Sequence, residues 1–403
     1  MKAPRIFLPL RHRDFRLLWS GQTLTLLGSF VSQVAYPFQI LQLGGSAIEL
    51  GALASIFTAA SLVFLLLGGA IADRVPRRTL IIVTELGSGV ITAVVSLLGY
   101  SGTLQIWHLY VAVALFGAAV SFSAPAIGAM IPELVPEEIL VPGNAVRGLS
   151  RQASRTGGPV IGGLLVATAG PPAAFAFDAL TFFVSAVAVW LIRARPIVAP
   201  KAATSILAEI REGLAFVFAT QWLWVTIFGW SLINAGFIGA FVVGLPLLVT
   251  DVLRAGAVTF GFITAAMGAG EALGAAIIGQ LRIRRAGVAI YLFGAGGGAG
   301  LLIFGLVPTL PGALVAGLLI GFSFVCLGVL WESALQRHVP RQMLGRVTSV
   351  DWFGGTLLGP IAPIAAALIT DAYGPPTLFI VAGCIATALS LLGLVLPSIR
   401  RLE

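Results

Sequence analysis

Long apolar runs, separated by short charged segments, make up almost all of this 403-residue chain. Crossing a bilayer core of about 30 Å takes roughly 20 predominantly apolar helical residues. Twelve runs meet that requirement, at 15–43, 47–72, 79–100, 105–131, 148–170, 173–193, 221–249, 257–281, 287–307, 311–335, 346–370 and 375–397. None alternates over ten residues as barrel strands do, so the runs predict helices whose backbone groups are satisfied within each segment. The expected fold class is an all-α polytopic membrane protein of twelve transmembrane helices.

The positions of the basic residues set the expected topology. With both termini in the cytoplasm, 23 of the 24 Lys and Arg residues fall on the cytoplasmic side, leaving only Arg254 outside. This is the asymmetry of the positive-inside rule. The basic N-terminus leads into the first run without a small-residue cleavage site, which reads as no removable signal peptide.

The two halves repeat. Leu67-Gly-Gly-Ala-Ile-Ala-Asp-Arg-Val-Pro-Arg-Arg78 is echoed from Leu273, Val135-Pro136 by Val339-Pro340, and Gly158-Pro159 by Gly359-Pro360, at offsets of 206, 204 and 201 residues. Three echoes in register point to a six-plus-six duplication, a plan that places a substrate site between repeats near the midplane. The expected organisation is a six-helix bundle over 1–195, a central connection over 196–220, and a second six-helix bundle over 221–403. The connection contains an amphipathic stretch, with Ile206, Leu207, Ile210, Leu214, Val217 and Phe218 on one face and Glu209, Arg211 and Glu212 opposite. It reads either as a linker lying on the membrane surface or as a tether between the halves.

Composition narrows the function classes. Hydrophobic residues are 58% and charged residues 10% of the chain, against about 25% charged in soluble domains. The mean hydropathy of +1.02 excludes a soluble or disordered protein. The net charge of +8 comes from clusters between apolar runs rather than a basic stripe with interleaved aromatics, so no nucleic-acid partner is expected. Cys326 and Cys384, both in apolar runs, exclude a disulfide scaffold. His12, His108 and His338 form no metal-ligand spacing, no P-loop lysine occurs, and the glycines of 294–298 lie inside a span with no preceding strand. No cofactor, no metal and no enzymatic activity are expected.

Gly68-Gly69-Ala70-Ile71-Ala72-Asp73-Arg74-Val75-Pro76-Arg77-Arg78 resembles the cytoplasmic loop motif Gly-x-x-x-Asp-Arg-x-x-Arg-Arg of the major facilitator superfamily. Phe15-Arg-Leu-Leu-Trp-Ser-Gly-Gln22 and Phe175-Ala-Phe-Asp-Ala-Leu-Thr-Phe-Phe183 are similar to the branch that exports drugs, macrolides and siderophores. The resemblance implies an exporter of amphipathic drug-like compounds, or of one siderophore, macrolide or lysolipid; the alternative from another class is a transport-inactive membrane sensor. It further implies alternating access, protons as the coupling ion, and a monomer in a bacterial inner membrane. It also makes Gly69, Asp73, Arg74, Arg77 and Arg78 an inner-gate motif, with Asp73 latching near the N-terminus of helix 11. A carboxylate at a helix N-terminus contributes about 0.3–1 kcal/mol, enough to bias a near-balanced equilibrium. Asp73→Asn is expected to lower transport with expression intact, and an unchanged transport rate would contradict the latch.

Gly158, Pro159, Gly162 and Gly163 are similar to the antiporter motif of span 5, with Ser154 in place of its first Gly. They serve equally as sites of close helix approach and bending. The span-4 arginine that drug antiporters often carry is absent, because Val113 stands at its position.

Ionisable groups inside spans are functional candidates. Glu271, roughly 15 Å from the inner end of span 8, and Asp178, one to two turns inside span 6, are the candidate proton sites. Glu85, Glu332 and Asp351 lie near cytoplasmic ends, the last two as gate candidates with Arg337 and Arg346. Gln22, Ser29, Gln33 and Tyr36 form a polar stripe on span 1, and Trp230, Asn234, Phe237 and Phe241 a stripe on span 7. Both are candidate cavity walls, suited to bulky amphiphiles.

Overall fold

The computed structural model describes residues 5–72, 75–193, 206–281 and 283–402. Among these the chain is helical, with no strand. The first six spans are α1 (Arg13–Gln42), α2 (Ala47–Ala72), α3 (Arg77–Tyr100), α4 (Ile106–Leu134), α5 (Leu140–Ala169) and α6 (Pro171–Trp190). Helix α7 (Ile206–Ala219) occupies the central connection. Span 7 is α8 (Gln221–Gly239), a π-helical turn, α9 (Leu245–Leu247) and a second π-helical turn. Then follow α10 (Ala257–Ile278), α11 (Ala286–Leu306), α12 (Leu310–His338), α13 (Arg341–Thr356), α14 (Ala362–Tyr373), α15 (Pro375–Gly393) and α16 (Pro397–Arg400).

Ten of the described helical stretches are long and apolar enough to cross a membrane. The other two expected spans differ for separate reasons. Helix α5 is 30 residues long, about 45 Å, so its arginine-bearing first half exceeds what an apolar core of about 30 Å would cover. Glycines and polar residues dilute the rest. Span 11 is broken at 357–361 between α13 and α14. Pro360 lacks an N–H and crowds the preceding turn, and here the helix yields. Pro159, at the matching place in α5, sits inside a continuous helix.

The duplication has a backbone counterpart. Gly170 and Gly374 both take φ of 81°, each followed by Pro-Pro at the start of α6 and α15. Only glycine adopts this conformation without steric cost, and it reverses the chain between a long helix and its antiparallel neighbour.

The chain divides into two compact units, 1–200 with 256–265 and 201–255 with 266–403. This departs from a plain division at the central connection in two places. The first residues of α10 pack with the first unit, because the span-5 glycines admit them. A Cβ on Gly163 would sit 2.5 Å from the Ala257 carbonyl oxygen, and one on Gly261 2.5 Å from that of Pro159. In the first unit α1 packs on α5 and α6, α3 on α4 and α6, and α2 on α4. Phe15, Leu18, Ile81, Met130, Ile131 and Val189 form an apolar core among α1, α3, α4 and α6.

The second departure is α7, which is part of the second unit. It packs on α13: Gly213 lies against the backbone of Arg346, and Glu212 forms an ion pair with the Arg346 guanidinium. Val217 is 1% exposed, in a core with Leu223, Ile227, Leu335, Val339 and Val347. Leu214 and Phe218 are exposed, so the buried face runs through Gly213 and Val217 rather than along the whole apolar set. Helix α7 is therefore docked on α13 of the second unit. Ile206, Leu207, Glu209 and Ile210 have no side chain among the described ones.

Candidate functional site

The first unit holds a half-open cavity of about 600 Å³. Helix α1 contributes Trp19, Gln22, Thr25, Ser29 and Phe30; α3 contributes Thr84, Glu85 and Ser88; α4 contributes Phe116 and Ser123; α5 contributes Asn144, Arg147, Ser150 and Arg151; and α6 contributes Phe182. Helical periodicity explains the α1 set, because residues 22, 25, 26 and 29 share one face. Trp19 closes one edge, its indole N–H donating to the Ser150 hydroxyl at 2.8 Å.

Glu85 is the hub of the polar wall. Gln22 Nε2 donates to one carboxylate oxygen at 2.8 Å, and the Thr25 hydroxyl to the other at 3.2 Å. The same Gln22 amide reaches the Ser185 hydroxyl at 3.3 Å. The residue is 4% exposed and lies eight positions into α3, about 12 Å along the helix. It is therefore two turns deeper than a cytoplasmic-end position. Asp178, 2% exposed, accepts from the Ser32 hydroxyl at 2.6 Å. Its other oxygen has no hydrogen-bond partner among the described residues and faces Gly28, where a Cβ would stand 2.6 Å from it. Two buried carboxyl groups thus sit in the first unit, both bound to side chains of α1.

The span-1 stripe divides. Gln22 and Ser29 line the cavity. Gln33 is exposed, and Tyr36 turns its ring edge-on to Phe175 at 4.9 Å, both outside the cavity. The span-7 stripe lies in the second unit and does mainly packing there. Trp230 fills the notch left by Gly294, Phe237 meets Phe324 edge-on at 4.8 Å, and Phe241 meets Phe304 at 6.1 Å. Asn234 donates to the Gly355 carbonyl at 3.5 Å. Glycines 294, 297 and 298 serve this close packing, touching Trp230, Phe237 and Thr387. Glu271 is 4% exposed on α10, where that helix meets α12 at Gly321 and Gly274 approaches Phe322.

Asp73 and Arg74 lie outside the described residues, and Gly69 belongs to α2 with its surroundings likewise outside them. Arg77 and Arg78 are held within the first unit. Arg77 pairs with Glu133 at the end of α4 and donates to the Ala129 carbonyl at 2.9 Å. Arg78 donates to the carbonyls of Val189 and Trp190 at the C-terminus of α6, the negative end of that helix dipole. Gly158 and Gly162 bring α5 against α1, where a Cβ would meet Phe30 at 2.5 Å and the Val31 carbonyl at 2.6 Å. Of the gate candidates, Arg346 is engaged by Glu212, Asp351 accepts from the Trp331 indole at 3.0 Å, and Glu332 and Arg337 are exposed.

Four residues were not legible in the sequence: Glu85 as the partner of Gln22, Thr25 beside it, and Arg147 with Arg151 as cavity walls rather than topology markers. An ionisable residue six positions into an apolar run was the available signal for the first. Nothing in the sequence pairs it with a residue 63 positions away.

Residues 5–397 match the family model described as transmembrane secretion effector. The chain is 27% identical to the multidrug efflux pump Tap of Mycolicibacterium fortuitum, over 93% of this chain and 94% of the pump. It is 23% identical to macrolide efflux protein A of Streptococcus pyogenes, over 96% and 97% respectively. A bacterial homologue of the human lysosomal transporter Spinster superposes with a TM-score of 0.75 at 13% identity, over 96% of this chain and 97% of that one.

Proposed function

Because the chain belongs to the transmembrane secretion effector family of the major facilitator superfamily, we propose that it exports amphipathic drug-like compounds by alternating access, driven by proton influx. The family and fold are those of membrane transporters rather than enzymes. The observation that carries the finer reading is the cavity of the first unit. Aromatic faces from Trp19, Phe30, Phe116 and Phe182 offer an apolar body broad contact, while Gln22, Ser29 and Ser123 supply scattered polar partners. That mixture, at about 600 Å³, lies in the size range of small-molecule sites.

Proton coupling is supported by Glu85 and Asp178, the buried carboxyl groups on the helices around that cavity. Ionisable groups inside membrane spans mark proton pathways, and a carboxyl group can carry a proton in either state of the transporter. Gln22 suits this role, because its amide presents either an N–H or a carbonyl oxygen to match a carboxylate or a neutral acid. Glu271, set at the contact of α10 with α12, is the alternative proton carrier. In this reading both termini are cytoplasmic and the membrane is the bacterial inner membrane.

The test is uptake of a lipophilic cationic dye into everted vesicles under an interior-acidic gradient. Wild-type vesicles are expected to accumulate dye, and the accumulation to collapse when the gradient is dissipated. Glu271→Gln is expected to retain uptake while Glu85→Gln loses it. Loss in Glu271→Gln alone would move the proton site to α10. No gradient-driven uptake by the wild type would contradict proton-driven export of such compounds.

A further inference from the structure

We propose that the cavity of the first unit is an anion-recognising site, in which Arg147 and Arg151 bind the oxyanion of an acidic amphiphile whose apolar body lies against Trp19, Phe30 and Phe182. The acidic group is a carboxylate, sulfonate or phosphate. Treating this ligand as cargo rests on the exporter reading above; the binding site itself does not.

Four residues apart on α5, the two arginines share one helix face, and both line the cavity. Among the described residues neither guanidinium has an ion pair or a hydrogen bond. Other arginines of the same unit are provided for: Arg77 by Glu133, Arg78 by two carbonyls of α6, and Arg13 by Asp14 and the Leu191 carbonyl. Arg147 is half-buried and Arg151 exposed, and the like charge of Arg151 acts on Arg147. Glu85 shares the cavity, but its two oxygens are taken by Gln22 and Thr25.

Two like charges held on a cavity wall, neither in an ion pair among the described residues, are a recognition element for an anion. A guanidinium offers a planar fork of donors that matches a carboxylate, sulfonate or phosphate, and charge-assisted hydrogen bonds are about twice as strong as neutral ones. Aromatic residues of α1 and α6 line the same cavity, so the complementary molecule has one acidic end and one apolar body. A free acidic amphiphile and an anionic phospholipid share that chemistry.

The experiment uses the full chain purified in a non-ionic detergent, with radiolabelled taurocholate, a sulfonate on an apolar steroid body, as the probe. Its affinity is expected to fall about tenfold or more, ~1.4 kcal/mol, in Arg147→Gln/Arg151→Gln. Arg147→Lys/Arg151→Lys, which keeps both charges but not the fork, is expected to fall between the Gln double variant and wild type. Raising salt from about 0.05 to 0.5 M is expected to weaken wild-type binding severalfold by screening, a readout that needs no variant to fold. Equal affinity in the wild type and the Gln double variant, or binding indifferent to salt, overturns the site.

Liposomes of phosphatidylcholine alone separate cargo from lipid. Gradient-driven taurocholate uptake supports the cargo assignment. If instead phosphatidylglycerol displaces bound taurocholate and no taurocholate is taken up, the site is a headgroup site and the cargo assignment is overturned. If neither taurocholate nor tetraphenylphosphonium enters while arginine-dependent binding persists, the exporter reading fails and the anion site stands.

Discussion

Glu85→Gln is expected to lower gradient-driven export about tenfold or more, while the purified protein keeps a thermal stability close to wild type. The two expectations follow from one geometry. Glutamine has the shape of glutamate, so its carbonyl oxygen still accepts from Gln22 at the 2.8 Å contact. Its amide N–H then faces the Thr25 hydroxyl, now 3.2 Å from the carboxylate, and a hydroxyl accepts as readily as it donates. The network closes in either form, so folding has little to lose. Transport loses the titratable group, and a tenfold rate loss corresponds to about 1.4 kcal/mol of barrier. Asp178→Asn is the companion variant, because the Ser32 contact at 2.6 Å survives with the amide oxygen as acceptor. Dye uptake with both variants at matched expression checks this. Wild-type rates in both would remove the carboxyl groups of the first unit from the coupling route.

Gly321→Val is expected to prevent recovery of folded protein. A Cβ on Gly321 would occupy the space of the Met267 carbonyl and lie 3.1 Å from the Glu271 backbone nitrogen. Both neighbours are backbone of α10, so no side chain can rotate away, and the two helices must separate along the interface that buries Glu271. Overpacking a tight contact costs about 1–3 kcal/mol even where side chains adjust, and rigid backbone raises that figure. Gly328→Val on the same helix is the control, since nothing lies within 4 Å of a Cβ there. Size-exclusion profiles of the two variants are expected to show aggregate for Gly321→Val and a single sharp peak for Gly328→Val. Two similar peaks would mean that α10 and α12 part without penalty.

The sequence pattern carried the fold further than it carried the site. Hydrophobic run length placed the spans, because a bilayer imposes one length on every crossing. The pattern was silent on the break in span 11, since Gly359-Pro360 reads just like Gly158-Pro159 while only the former interrupts its helix. Periodicity put Gln22 and Ser29 on one face of α1, but their neighbour Glu85 comes from another helix, and no local rule supplies that pairing. Arg147 and Arg151 obey the topology rule and also line a cavity, and a rule that accounts for a charge by its side of the membrane leaves nothing to prompt a second role. In α7, apolar spacing grouped Leu214 and Phe218 with Val217, whereas docking on α13 through Gly213 buries Val217 and leaves the other two exposed.

Proton–substrate exchange is the central claim, and proton movement tests it most directly. The purified chain would be placed in liposomes holding a pH-sensitive dye, with the lumen acidic, and tetraphenylphosphonium added outside. Lumen alkalinisation on addition, proportional to the cation taken up and absent in Glu85→Gln, is the predicted result. Cation uptake with no change in lumen pH would contradict the account, because the gradient would then drive nothing that this protein moves.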